Sequence, residues 1–243
     1  MLSVVIPAYN EEHTIGESIE SLATALDLAQ FDYELLVVND GSSDGTERVL
    51  IELEGTYPAL RHVNNQGRHG FGHAVRCGLT HYRGSAVAVV MADGSDSPAD
   101  LIAYYRSIGE GYECAFGSRY IAGARVEEYP RLKWMVNRMG NWLAASLFRE
   151  RYNDFTNPFK CYRREIVDGM QPLVSGQFNL AIEMSLKAVA QGARYSVSPN
   201  SWRSRTGGRS TFKVFAQMSL YIQTLIYCFV VTKLAPRLGR SAR

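Results

Sequence analysis

Four stretches of this sequence bring carboxylates or guanidinium groups to places where a chain can do chemistry. The first is Ala86 to Met91, a run of small and β-branched apolar residues that suits a strand buried on both faces. It gives way abruptly to Asp93, Gly94, Ser95, Asp96, Ser97 and Pro98. Carboxylates at the carboxyl end of a buried strand suit a hard divalent cation, Mg²⁺ or Mn²⁺. A plain turn at Asp93, with Ser97 capping the next helix, accounts for the same residues. A second apolar run, Tyr33 to Val38, ends in Asn39, Asp40 and Gly41. The third stretch, NNQGRHGFGHAVRCGL from Asn64 to Leu79, holds Gly67, Gly70 and Gly72 and the cations Arg68 and Arg76. Such glycines let backbone approach a ligand, and a helix opening near Gly72 offers N–H groups to phosphate. The fourth, Arg203 to Lys213, is a glycine loop with Arg205, Arg209 and Ser210; a solvated charge run is its ordinary explanation.

The elements that position these groups follow from periodicity. Leu2 to Ile6 reads as a buried strand stopped by Pro7, and Asn10 as a helix N-cap with Glu11 and Glu12 at the positive end of the dipole. Ile15, Ile19, Leu22 and Leu26 recur at helical spacing. With the strand ending at Asp40 and a helix capped by Ser43, the opening is β-α-β-α, which predicts a parallel sheet with right-handed crossovers. The turn after the first strand is PAYNEE, not the GxGxxG of a dinucleotide fold, and no GxxxxGK[ST] loop occurs. The 243 residues, 46% of them apolar, allow one large α/β domain, and a net charge of +2 gives no reason to expect nucleic acid. The four cysteines have no metal-type spacing, so reduced cytosolic thiols are expected, and the N-terminal run has no features of a signal peptide.

In order, VVIPAYNEE, VVNDGSSDGT and the strand ending in ADGSDSP resemble glycosyltransferase family 2, enzymes with the GT-A fold. The resemblance implies a single Rossmann-like α/β domain with a mostly parallel central sheet and helices on both faces. It implies that Pro7, Ala8, Tyr9 and Glu11 embrace the nucleobase and ribose of a nucleotide-sugar donor, and that Asp40 serves the base. Gly70, Gly72 and Arg76 would lie beside the nucleotide. Relatives acting on lipid phosphates carry Asp-x-Asp followed by Leu-Gln; here Met91 stands at the first aspartate and Ser95 at the glutamine. Either Asp93 and Asp96 share the cation, or Asp93 holds it with water and the donor diphosphate. Arg119, in a Gly-Ser-Arg after a fifth strand at Cys114 to Gly117, would reach the phosphates; pairing with Asp93 or Glu128 is the structural alternative.

The second half is expected to form the acceptor side. Leu132, Met135, Val136, Met139, Trp142, Leu143 and Ser146 trace a broad helical stripe. NDFTNPFKCYRRE resembles the segment of polyprenyl-phosphate sugar transferases that lines the donor sugar or acceptor phosphate, which singles out Asp154, Thr156 and Lys160. Glu183 matches a family glutamate facing the site, although Glu183 and Lys187 also read as a surface i, i+4 pair. Arg205, Arg209 and Ser210 would grip the acceptor phosphate. Residues 214–232 carry no charge and read as an amphipathic helix lying on a membrane rather than crossing it, with Lys233, Arg237, Arg240 and Arg243 behind it. The expected organisation is a catalytic domain over 1–211, donor half 1–120 and acceptor half 121–211, with a membrane-facing helix and basic tail over 212–243. The implied activity is an inverting transfer from a UDP- or GDP-sugar to a polyprenyl phosphate at the cytosolic face of a membrane. Transfer to a sugar hydroxyl, with Asp154 or Glu183 as base, and non-catalytic nucleotide-sugar binding are the alternatives; assembly with a second copy is left open.

Overall fold

The N-terminal apolar run becomes β1 (Leu2–Ala8), buried along its whole length. The structure, a computed structural model, describes residues 1–126, 131–202 and 214–234. Parallel strands β2 (Tyr33–Asn39) and β4 (Ala86–Val89) flank β1, and β3 (Leu60–Asn64) lies outside β2. Beyond β4 the direction changes. Strand β6 (Lys160–Arg163) runs antiparallel to both β4 and β5 (Cys114–Ser118), and β7 (Tyr195–Pro199) pairs parallel with β5. The sheet order is β3-β2-β1-β4-β6-β5-β7.

Helices α1 (Ile15–Leu28), α2 (Thr46–Glu54), α3 (Phe71–His81) and α4 (Pro98–Gly109) are the crossovers of the first half. Successive residues of β1 go to opposite faces: Leu2, Val4 and Ile6 pack with Ile15, Ile19 and Leu101, while Val5 packs with Val75 on the other face. Both faces are covered, so the strand reads as continuous apolar residues rather than alternation. In the second half α5 (Arg131–Phe148), α6 (Arg164–Gly169), α7 (Leu180–Ala190) and α8 (Val214–Phe229) surround the β5–β7 end, and α8 finishes in a π-helical turn over Val230–Leu234.

The structure corrects several expected boundaries. Pro7 does not stop β1: past Val5 the strand pairs only with β2, so a missing N–H on the β4 side breaks no ladder. Helix α1 starts at Ile15 behind Thr14, not behind Asn10, which sits at φ 55° in the turn. The stripe on α5 faces outward. Met135, Met139 and Trp142 are 62%, 61% and 69% exposed, while the buried face holds Asn137, Asn141, Ala144 and Phe148. Helix α8 divides its apolar residues: Leu225 and Cys228 turn into the core with Thr224, and Ile222, Ile226, Val230 and Leu234 face out. Among the described residues no helix is long and apolar enough to cross a membrane.

Candidate active site

The carboxyl ends of β1, β2, β4 and β5 share one edge of the sheet, and β6, being antiparallel, contributes its beginning to that edge. The loops there are interlocked. Asn10 Oδ1 accepts from the Ser43 amide at 2.8 Å, and Ser42 Oγ accepts from the Asn10 amide at 3.0 Å. Glu12 Oε2 accepts from the Gly45 amide at 2.7 Å, and the Glu11 amide donates to the buried Thr46 hydroxyl at 2.9 Å. Tyr9 stands exposed at the rim just past Pro7 and Ala8, and Glu11 Oε2 accepts from Thr14 Oγ1 at 2.7 Å.

Asp40 is buried and organises the glycine loop. Its Oδ2 accepts from the Gly70 amide at 2.6 Å and its Oδ1 from Asn65 Nδ2 at 2.6 Å, with His69 Nδ1 at 3.3 Å. The close approach at Gly70 and Gly72 is made by protein, not open space. A Cβ at Gly72 would meet the backbone of Ser175–Gln177, and at Gly70, where φ is +132°, it would meet Gly176 and Gln177. That is a different use of these glycines from the expected one. Arg76 lies one turn along α3, where with Arg68 and His73 it borders a cleft of about 540 Å³. Burial, together with the charges of Arg76 and Arg68, lowers the pKa of His73.

Past β4 the chain turns through Asp93–Asp96. Asp93 is partly exposed; its Oδ1 accepts from the Ser95 amide at 3.1 Å, and Gly94 takes φ +67°. Asp96 turns the other way. Its Oδ2 accepts from the Met91 amide at 2.9 Å, and burial, aided by the nearby Asp93 charge, pushes its carboxyl up to about 7. Asp96 thus clamps the turn from inside; of the two arrangements open from the sequence, this geometry favours Asp93 holding a cation with water and the donor diphosphate over Asp93 and Asp96 sharing it. Among the described residues no three His, Cys, Asp or Glu side chains gather as a metal cage. A partly exposed Asp93 fits a cation held mainly by substrate phosphates and water, as Mg²⁺ commonly is.

Arg119 follows β5 and meets Asp154 in a bidentate pair: Nε to Oδ2 at 2.9 Å and Nη2 to Oδ1 at 2.7 Å, with the Arg119 amide also donating to Oδ2 at 2.9 Å. Asp154 is fully buried and the Arg119 side chain is 10% exposed. Arg119 Nη2 further donates to Thr156 Oγ1 at 3.0 Å. Asn141 of α5 grips Thr156 from behind, donating to its hydroxyl and accepting its amide, each at 3.1 Å. Tyr152 and Asn157 close the cluster on the Gly117 carbonyl. Arg119 is thus paired with Asp154, a carboxylate the sequence reading did not set against it; Glu128 lies outside the described residues.

Two expected site residues lie inside the protein. Lys160 has no exposed surface. Its Nζ donates to the carbonyls of Phe155 and Asn157, and burial, opposed by Asp154, lowers its pKa to about 7. It holds the loop before β6 and offers no open ammonium to an acceptor phosphate. Glu183 is fully buried, accepting from the Val174 and Ser175 amides at 2.9 and 2.7 Å and from Lys187 Nζ at 2.8 Å. It fixes the segment that underlies Gly70 and Gly72, so it supports the glycine loop at one remove. Arg205, Arg209 and Ser210 lie outside the described residues. Asn141 and Asn157 were not singled out from the sequence; the signal for the first is Asn137 and Asn141 at i, i+4 opposite the apolar stripe.

The family model for glycosyl transferase family 2 matches residues 3–170. The chain belongs to glycosyltransferase family 2. It is 29% identical over 213 residues to a polyprenol monophosphomannose synthase of Mycolicibacterium smegmatis, covering 85% of this chain and 79% of that protein. It is 28% identical over 197 residues to a dolichol-phosphate mannosyltransferase of Pyrococcus furiosus, where the match covers 75% of this chain but only 55% of the relative. Among solved structures, glucosyl-3-phosphoglycerate synthase from Mycobacterium tuberculosis, in complex with Mn²⁺, uridine diphosphate and phosphoglyceric acid, superimposes with a TM-score of 0.73 at 20% identity. That match covers 94% of this chain and 78% of the other. The same enzyme with Mg²⁺ and uridine diphosphate gives 0.72 at 20% identity, covering 94% and 79%. These likenesses show the GT-A fold, which this chain builds on its seven-stranded sheet.

Proposed function

We propose that this family 2 glycosyltransferase moves a sugar from a UDP- or GDP-sugar to a polyprenyl phosphate, inverting the anomeric centre. The observation that carries the acceptor class is the state of the two candidate bases. A sugar-hydroxyl acceptor needs a base within hydrogen-bond reach. Asp154 is locked in the Arg119 pair and Glu183 is sealed behind Val174 and Ser175. A phosphate acceptor is already anionic at neutral pH and needs placement rather than deprotonation. The names of the two relatives support the same acceptor class.

In this reading residues 1–120 bind the donor and 121–211 the acceptor. Tyr9 and Glu11 border the base, with Pro7 and Ala8 ending the strand beneath them, and Asp40 holds the Asn65–Gly70 loop, with Arg76 behind it, in the shape that receives the nucleotide. Asp93 would hold Mg²⁺ or Mn²⁺ with the donor diphosphate; such an ion neutralises charge on the departing nucleoside diphosphate. Arg119, preorganised by Asp154 and Thr156, aims positive charge at the same leaving group. Arg205, Arg209 and Ser210 would place the acceptor phosphate, the role for which Lys160 is too deeply buried. Residues 212–243 would bring the enzyme to the cytosolic face of a membrane.

The test is incubation of labelled UDP- and GDP-sugars with polyprenyl phosphate and Mn²⁺ or Mg²⁺, followed by organic extraction. Labelled lipid is the expected product. Transfer to phosphoglycerate or a free sugar, with none to the lipid, overturns the acceptor assignment, and binding of the sugar nucleotides with no transfer to any acceptor overturns the enzyme reading.

A further inference from the structure

Helix α5 is amphipathic in the reverse sense from a core helix. Its inner face is Asn137, Asn141, Ala144 and Phe148, and its outer face is Trp134, Met135, Met139, Trp142 and Leu143. Contiguous apolar surface of this kind on a folded protein marks an interaction site. Helix α8 packs beside α5 through the inner face of α5 and carries an exposed apolar line of its own. Phe148 of α5 meets Phe229 of α8 edge-on at 6.2 Å between ring centres, and Ile222, Ile226, Val230 and Leu234 form an exposed i, i+4 line along the outside of α8 and the turn after it. Neither helix contains an acidic residue.

We propose that the outer faces of α5 and α8 together dock onto an anionic phospholipid leaflet, with α5 as the principal contact. Three features favour a bilayer over a second copy of the chain. The patch carries two tryptophans, the side chain best suited to the boundary between headgroups and acyl chains. Its own charges are all basic: within its bounds α5 carries Arg131, Lys133 and Arg138 and no carboxylate, Arg149 and Arg151 stand either side of Glu150 just past its end, and Lys233 lies in the turn after α8. Those charges match an anionic surface, whereas a symmetric pair of copies would set like charges against each other. Finally, α5 touches the site directly. Asn141 holds Thr156 beside Arg119, and Arg138 lies over the Tyr120 ring at 4.8 Å. A helix is about 10 Å across with its side chains. With the apolar face sunk about 5–10 Å into the headgroup boundary, the lipid phosphates would stand level with α5 itself, within about one helix width of Arg119.

The proposal deepens the polyprenyl-phosphate reading and rests on it for its purpose, but its test does not. The full chain is mixed with vesicles of phosphatidylcholine and phosphatidylglycerol and followed by co-sedimentation and tryptophan fluorescence. Wild type should sediment with the vesicles and shift its emission to the blue. The double variant Met139→Glu/Trp142→Glu should bind about tenfold more weakly, and Ile226→Glu should lose less. Circular dichroism and donor affinity of the double variant should match wild type, because neither residue faces the donor site. Its turnover should fall with a long polyprenyl phosphate in vesicles and hold with a short, water-soluble prenyl phosphate. Equal vesicle binding by wild type and double variant overturns the proposal. So does a wild type that ignores vesicles and runs as a dimer which the double variant splits, since a second copy would then cover the patch. Loss of all lipid-phosphate activity with vesicle binding intact would instead defeat the acceptor reading alone.

Discussion

Asp40 and Asp154 are both buried carboxylates at the functional edge, and they are satisfied in opposite ways. Asp40 is held by neutral donors, the Gly70 amide and Asn65 Nδ2, with the exposed His69 ring alongside. Asp154 is held by a guanidinium, donating through two of its nitrogens and assisted by the Arg119 amide and Thr156. Asp40 therefore shapes a loop through hydrogen bonds from neutral groups. Asp154 closes a charge pair that cannot lose one member without stranding the other.

That contrast is tested first where the effect is largest. Asp154→Ala leaves Arg119 buried without its carboxylate and should lower stability by about 3–5 kcal/mol in urea unfolding; the double variant with Arg119→Ala should lose less than the sum of the singles. A wild-type urea midpoint for Asp154→Ala would show that the pair carries no such load. Next comes Asp93→Asn, which should cost roughly a hundredfold or more in turnover with an unchanged melting temperature, since the side chain is partly exposed. Full activity of this variant in the presence of a chelator would remove Asp93 as a cation ligand.

Asp96 gives a smaller, pH-dependent effect. Its carboxyl is raised by burial to about 7 from the usual 3.8, so between those values the folded state holds a proton that the unfolded state has released. Its contribution to stability is then fully present below about pH 4 and is lost as the pH rises towards 7. Asp96→Asn keeps an acceptor for the Met91 amide and should remove this slope, worth on the order of 2 kcal/mol. Parallel unfolding curves for variant and wild type at pH 5 and 7.5 would place the proton elsewhere. The smallest expected effect is that of Asp40→Asn. It should weaken donor binding about tenfold, near 1.4 kcal/mol, by loosening Asn65–Gly70, and should speed amide exchange at Gly70. Unchanged exchange there would mean that Gly176 and Gln177 hold the loop without Asp40.

The N-terminal half was legible in the sequence because its signals are local. Strands β1, β2 and β4 are apolar runs ended by turn residues, and three motifs follow in chain order. The C-terminal half was less so, because a charged residue does not declare its depth. Lys160 and Glu183 read as site-facing by motif, yet their environments come from Phe155, Asn157, Val174 and Ser175, whose positions only the folded chain sets. Periodicity likewise revealed that α5 has two faces but not which one turns inward. Asn141 decides it, since its amide finds buried partners on Thr156 while the methionines opposite face solvent.

The reversed strand β6 also has a consequence for the order in which the protein is made. The four strands that build the parallel core, β1 to β4, and the three helices between them all lie in the first 90 residues. Yet the outer edge of β4 is covered only by residues 160–163, which leave the ribosome some seventy residues later. Until they arrive, a nascent chain carries an apolar strand with one row of unsatisfied backbone groups, the template on which strands of different chains join. Truncation near residue 120 should therefore give an aggregating fragment rather than an independent nucleotide-binding module, and the natural unit of expression runs at least through β6.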